Sequence, residues 1–131
     1  MEKSGGDLDE RECWDLLASE SVGHIALSVR ALPAILLVQY YLDGRTLDIC
    51  LGQHRIPTTS ANDAVIAFAA DAIDDLSNSG WTIQVQGLAH VPMASGVSRD
   101  CGQPAAGQIV HIEPATISGH RFILCPFISS F

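Results

Sequence analysis

Charge is scarce in this sequence, and positive charge scarcest. Charged residues make up 17% of the 131, and seven Lys and Arg stand against fifteen Asp and Glu, for a net charge of −8. A nucleic-acid binder needs clustered cations to displace counterions from phosphates, and an anionic membrane surface asks for the same. No basic run exists here, so neither nucleic acid nor membrane is an expected partner. Long apolar runs are missing too: no stretch reaches the ~18 residues that span a bilayer. The polar, acidic start from Met1 to Arg11 is unlike a signal peptide. A cytoplasmic location is expected, with thiols kept reduced.

The familiar chemical motifs are also absent. The cysteines, Cys13, Cys50, Cys101 and Cys125, form no Cys-x-x-Cys pair and have no His at zinc-finger spacing. Four unlinked thiols and no metal are expected. There is no dinucleotide glycine fingerprint, P-loop, His-Glu-x-x-His or Gly-x-Ser-x-Gly. His24, His54, His90, His111 and His120 are scattered without metal-binding spacing, and no residue stands out as a catalytic acid or base. Asp71, Asp74 and Asp75 lack the glycine and spaced carboxylates of a calcium loop and read as a solvated turn.

What the chain does have is apolar residues, 47% of the total. Its length suits one domain, residues 1–131, able to bury a core without staples. So apolar a chain with so few charges leaves more apolar surface than a soluble monomer tolerates, and a subunit interface relieves that.

Periodicity predicts a mainly β chain. Residues 1–7 read as a frayed tail, and Asp7 with Glu10 as the capping box of a helix over 8–19 with Leu8, Trp14, Leu16 and Leu17 on its apolar face. Residues 24–29 alternate as a strand. Residues 34–41 (AILLVQYY) read as a strand buried on both faces, followed by an Asp43-Gly44 turn and a return strand over 46–51. Pro57 opens a short helix over 57–63, and 64–70 is a further strand. Residues 71–80 read as an acidic connection. Residues 81–91 alternate until Gly87, which marks a bulge. Residues 92–107 are Gly-, Ser-, Ala- and Pro-rich and uncommitted. A strand over 108–113 stops at Pro114, and a last one runs from Ile117 to Leu124. The sum is a mainly β (α+β) domain of about six strands and two or three short helices. Tight turns favour antiparallel pairing closed into a barrel, which leaves few exposed edges.

One loop has electrostatic character. Gly52-Gln53-His54-Arg55 lies between a strand end and a helix start. Helix N-termini present free N–H groups to anions, and Arg55 adds a planar donor fork suited to phosphate. Pairing of Arg55 with a nearby carboxylate fits the local sequence equally well.

Several stretches together resemble one family. Ser21-Val22-Gly23-His24-Ile25-Ala26, residues 38–44 (VQYYLDG), 65–71 (VIAFAAD), 79–89 (SGWTIQVQGLA), Ile112-Glu113-Pro114 and Ile117-Ser118-Gly119-His120-Arg121 are similar, in order and spacing, to segments of the small pyridoxamine 5′-phosphate oxidase-like flavin-binding proteins. The resemblance covers residues 12–122. It implies a six-stranded antiparallel split β-barrel and a homodimer with flavin sites at the subunit interface, holding FMN or, in some members, the deazaflavin F420. It puts the phosphate in the loop with Gln53, His54 and Arg55, the isoalloxazine near Val38, Gln39, Leu51 and Gly52, and Trp81 as a contributor from the partner. The chain departs from the family pattern at His24, Leu51 and Ile56, where Arg, Thr and Lys are usual. The expectation is a flavin-dependent oxidoreductase. The alternative is a barrel dimer without tight flavin binding, acting as a small-ligand or interaction module.

Overall fold

The computed structural model describes residues 6–52, 61–91 and 108–125. The first described segment is β1 (Gly6–Asp7), which pairs with Arg121 and His120 although it falls within the expected tail. Because Asp7 is held in that pairing and Leu8 N–H donates to Gly119, Asp9 becomes the helix cap. Helix α1 (Glu10–Ala18) starts with a capping box shifted two residues from the expected one: Glu12 N–H donates to the Asp9 carboxylate at 2.9 Å, and Asp9 N–H to Glu12 at 3.1 Å. Its buried face is Cys13, Trp14 and Leu17.

Six long strands follow: β2 (Val22–Val29), β3 (Leu32–Asp43), β4 (Thr46–Cys50), β5 (Val65–Asp74), β6 (Ser79–His90) and β7 (Ile109–Ile123). Every pairing is antiparallel, in the order β1-β7-β4-β3-β2-β5-β6, and β6 pairs again with β7. That last pairing closes β2–β7 into a six-stranded barrel, with β1 a short addition on β7. The expected mainly β antiparallel barrel is the observed fold. The segments expected over 108–113 and from Ile117 to Leu124 are one strand, β7, so the barrel has six strands and β1 makes a seventh. Among the described residues α1 is the helix of regular length, and the helix expected over 57–63 lies mostly outside them.

Alternation decides what fills the barrel. On β2, Ile25 and Leu27 point in while His24, Ala26 and Ser28 point out. Phe68, Ile83, Val85, Leu47, Ile49, Val110 and Ile112 complete the interior with the buried face of α1. Each such side chain removed from water stabilises the fold by about 1.5–3 kcal/mol. Tyr40 ties helix to barrel, its hydroxyl donating to the Leu17 carbonyl at 2.6 Å.

Two expected breaks are bridged. Pro114 does not stop β7, because it sits at a bulge: Gln86 faces Thr116 and Gly87 faces Pro114, leaving Ala115 as the extra residue. Its pairing with β4 ends at Ile112, so the missing N–H of Pro114 costs no bond there. Residues 71–80 are mostly strand, with a turn over 75–78. Asp74 organises that turn by accepting from Leu76 N–H and the Ser77 hydroxyl. Cys50 is disulfide-bonded while Cys13 and Cys125 are free, which corrects the expectation of four unlinked thiols. No described helix is long and apolar enough to cross a membrane.

Candidate functional site

The residues expected near a cofactor ring divide by the face they occupy. Gln39 points outward from β3, exposed, between Val22 on β2 and Cys50 on β4. Gly52 follows β4 with φ +65°, and a Cβ there would meet nothing within 4 Å, so its main chain is approachable. Val38, Leu51 and Trp81 point into the barrel, at 4%, 1% and 7% exposure. Trp81 lies on β6 between Ala72 and Arg121, and in this subunit it packs the core rather than the outer wall. Gln53, His54 and Arg55, like Ile56, lie outside the described residues. The structure thus brings Gln39 and Gly52 to one stretch of surface and places the other described members behind it.

The doubly apolar run of β3 could not show which of its residues face out. Those that do are Ile35, Leu37, Gln39 and Tyr41. Ile35 is 72% exposed, and Leu37 lies opposite His24 on β2. His24 in turn faces Ala69 on β5, and Ala26 faces Ala67. Val65 and Leu88, paired across β5 and β6, extend the same outer wall. The result is an outer surface over four adjacent strands, apolar at Ile35, Leu37, Ala67, Ala69, Val65 and Leu88 and polar at His24, Gln39, Gln84 and Gln86.

A second group went unseen in the sequence. Asp48 is 4% exposed, the one polar residue in the described core. Its carboxylate accepts a hydrogen bond from Nδ1 of His111 on β7. His90 on β6 stands opposite His111, its ring parallel within 9° and 6.5 Å away between centroids. The alternation of Thr46–Cys50 separates Asp48 from Leu47 and Ile49, but nothing in the sequence aligns β4 with β7. Among the described residues no group of three His, Cys, Asp or Glu can hold a metal ion.

Elsewhere, Glu10, Trp14, Arg45 and residues 114–117 line a depression of about 370 Å³. Arg45 there is paired with Glu10 at 2.6 Å and lies over the Trp14 ring.

Comparison with known proteins agrees with this architecture. An uncharacterised protein of Mycobacterium tuberculosis is 31% identical over 133 residues, covering 89% of this chain and 85% of its own length. An FAD-binding protein of Mycobacterium smegmatis superposes with a TM-score of 0.69 at 25% identity, over 90% of this chain and 98% of that one. An FAD-binding protein of Mesorhizobium loti superposes with a TM-score of 0.69 at 15% identity, over 89% and 96%. The model of the pyridoxamine 5′-phosphate oxidase family matches residues 9–100. With the closed antiparallel barrel, these matches make the chain a member of the pyridoxamine 5′-phosphate oxidase family.

Proposed function

We propose that this chain is a flavin-binding homodimer of the cytoplasm that works as a flavin-dependent oxidoreductase, with FMN as the favoured cofactor and F420 as the other candidate. The observation that carries the reading is the apolar outer wall of β2, β3, β5 and β6. A monomer leaves Ile35, Leu37, Val65 and Leu88 in water, and contiguous exposed apolar surface marks a binding or association face. A second copy buries much of it, and a flat ring system at the edge of the seam uses the rest.

The described residues fit the ring. Leu37 offers an apolar seat, Gln39 a hydrogen-bonding edge, and Gly52 an unobstructed main chain. Arg55 and His54 are assigned the phosphate. A bound flavin supplies reversible two-electron chemistry, and the chain supplies position and electrostatics. Similarity to FAD-binding proteins supports a flavin over other anionic ligands.

Calorimetric titration of the purified protein with FMN and with F420 tests this. The expected result is saturable micromolar or tighter binding of one of them. Arg55→Ala should weaken that binding by roughly ten- to a hundredfold, the worth of one charge-assisted bond at ~1.5–3 kcal/mol. Absence of heat and of any spectral change with both ligands would overturn the reading in favour of a barrel that binds something else.

A further inference from the structure

Gln39 has a covered side and an open one. Towards β4 it faces Cys50, which is 4% exposed. Towards β2 it faces Val22, which is 45% exposed. The next outward pair on these two strands is His24 and Leu37, directly opposite each other and both exposed. A flat ring that uses Gln39 therefore has its room over Leu37 and on towards β2, with His24 as the border. Residues directly opposed across an antiparallel pair have Cβ atoms about 4.5–5.5 Å apart, and diagonal neighbours about 7–8 Å. Those spacings set His24 beside Leu37 and bring Gln39 within reach of its side chain.

Among the described residues no hydrogen bond or ion pair holds the His24 imidazole. Val22 and Ala26 flank it on its own strand, and Ile35, Leu37 and Gln39 face it from β3, none of them charged. From β5 it meets Ala69, with Ala67 and Asp71 two residues to either side on the same face. Asp71 is the charged one among these neighbours, and its sign is opposite to that of an imidazolium.

We infer that His24 borders the ring of the bound flavin and that its imidazolium stabilises the negative charge the ring carries when reduced. This rests on the flavin reading above. The chain has a net charge of −8 and Asp71 stands on the same wall, so an anionic ring meets an unfavourable potential there. A protonated His24 offsets that potential and a neutral one does not. The oxidised ring is uncharged and gains little from either form. Charge left on the reduced ring lies at its polar edge, where neighbouring donors and cations tune a flavin. With Gln39 as the hydrogen-bonding group of the seat, that edge belongs on the side of Gln39 and His24. Histidine changes charge near neutrality, so the bound flavin is easier to reduce in acid than one beside a neutral residue.

The test is the midpoint potential of protein-bound FMN in the wild type and in His24→Gln, measured without oxygen at about pH 6 and about pH 8.5. Comparing the two proteins at each pH removes the response of the flavin itself. In acid the wild type should favour reduced over oxidised FMN about tenfold more than the variant does, a potential about 30 mV higher. In alkali the difference should vanish. Coupling of this kind is reciprocal. NMR of the wild-type imidazole should therefore show His24 holding its proton about tenfold more tightly beside reduced than beside oxidised FMN. This second readout decides the matter where the variant binds FMN poorly. Equal potentials in acid, a difference that is the same at both pH values, or a His24 titration indifferent to the redox state of FMN would each overturn the inference. Failure of the wild type to take up FMN defeats the flavin reading and this inference together, whereas FMN uptake with equal potentials defeats the inference alone.

Discussion

Two buried acids set how individual residues respond to alkali. Burial, reinforced by the charge of Glu20, pushes the Tyr40 phenol well above its usual range. Burial raises the Cys13 thiol too, with Asp9, Glu12 and Glu10 adding to it. A raised native pKa means that the folded chain holds its proton where the unfolded chain has released it. Their contribution is therefore intact below the unfolded values, near 9.0 for Cys13 and 10.0 for Tyr40, and is lost as pH climbs beyond them. Denaturant titrations at rising pH should show stability falling from about pH 9 upward. Tyr40→Phe should flatten the part that begins near pH 10.0. The same variant should cost about 1–2 kcal/mol at neutral pH, because the Leu17 carbonyl loses its donor. Burial also separates the free thiols: iodoacetamide and mass spectrometry on the native protein should find Cys125 alkylated before Cys13.

The bulge between β6 and β7 is a sharp constraint at the level of elements. A Cβ at Gly87 would lie 2.2 Å from the Glu113 carbonyl oxygen, a backbone atom that cannot swing away. Gly87→Ala should destabilise the barrel by about 1–3 kcal/mol, read as a lower denaturation midpoint. The β2–β3 hairpin offers the opposite case. Its turn residues Arg30 and Ala31 both have positive φ, at 54° and 68°. The double change Arg30→Asn, Ala31→Gly supplies the residues that this geometry favours and should stabilise by about 1 kcal/mol. These elements also show what a sequence can reveal. Strands with one buried face, such as β2 and β6, announce themselves by alternation, and Gly87 announced the bulge. Pro114 misled because its cost depends on the register of β7 against β4 and β6. The helix cap moved from Asp7 to Asp9 because β1 pairs with a strand more than a hundred residues away. Asp48 and His111 are 63 residues apart, so their hydrogen bond exists only once two strands are aligned. The family resemblance puts Val38, Leu51 and Trp81 near a cofactor, and the barrel decides which side of it they face.

For the whole molecule, the barrel leaves few edges but one large apolar wall. Charge placed there should separate subunits without unfolding them, since Ile35 packs against solvent in the single chain. Ile35→Lys should sediment as a monomer of 14.0 kDa, with thermal unfolding close to that of the wild type. Flavin affinity should fall with the dimer, because the proposed ring seat lies where the two walls meet. Sedimentation velocity of the wild-type protein mixed with FMN, followed at the flavin's visible absorption band, joins both halves of the account in one record. The flavin colour should travel in a single boundary at twice the chain mass, one flavin to each chain. Colour that remains at the top of the cell while the protein sediments at 14.0 kDa would contradict it.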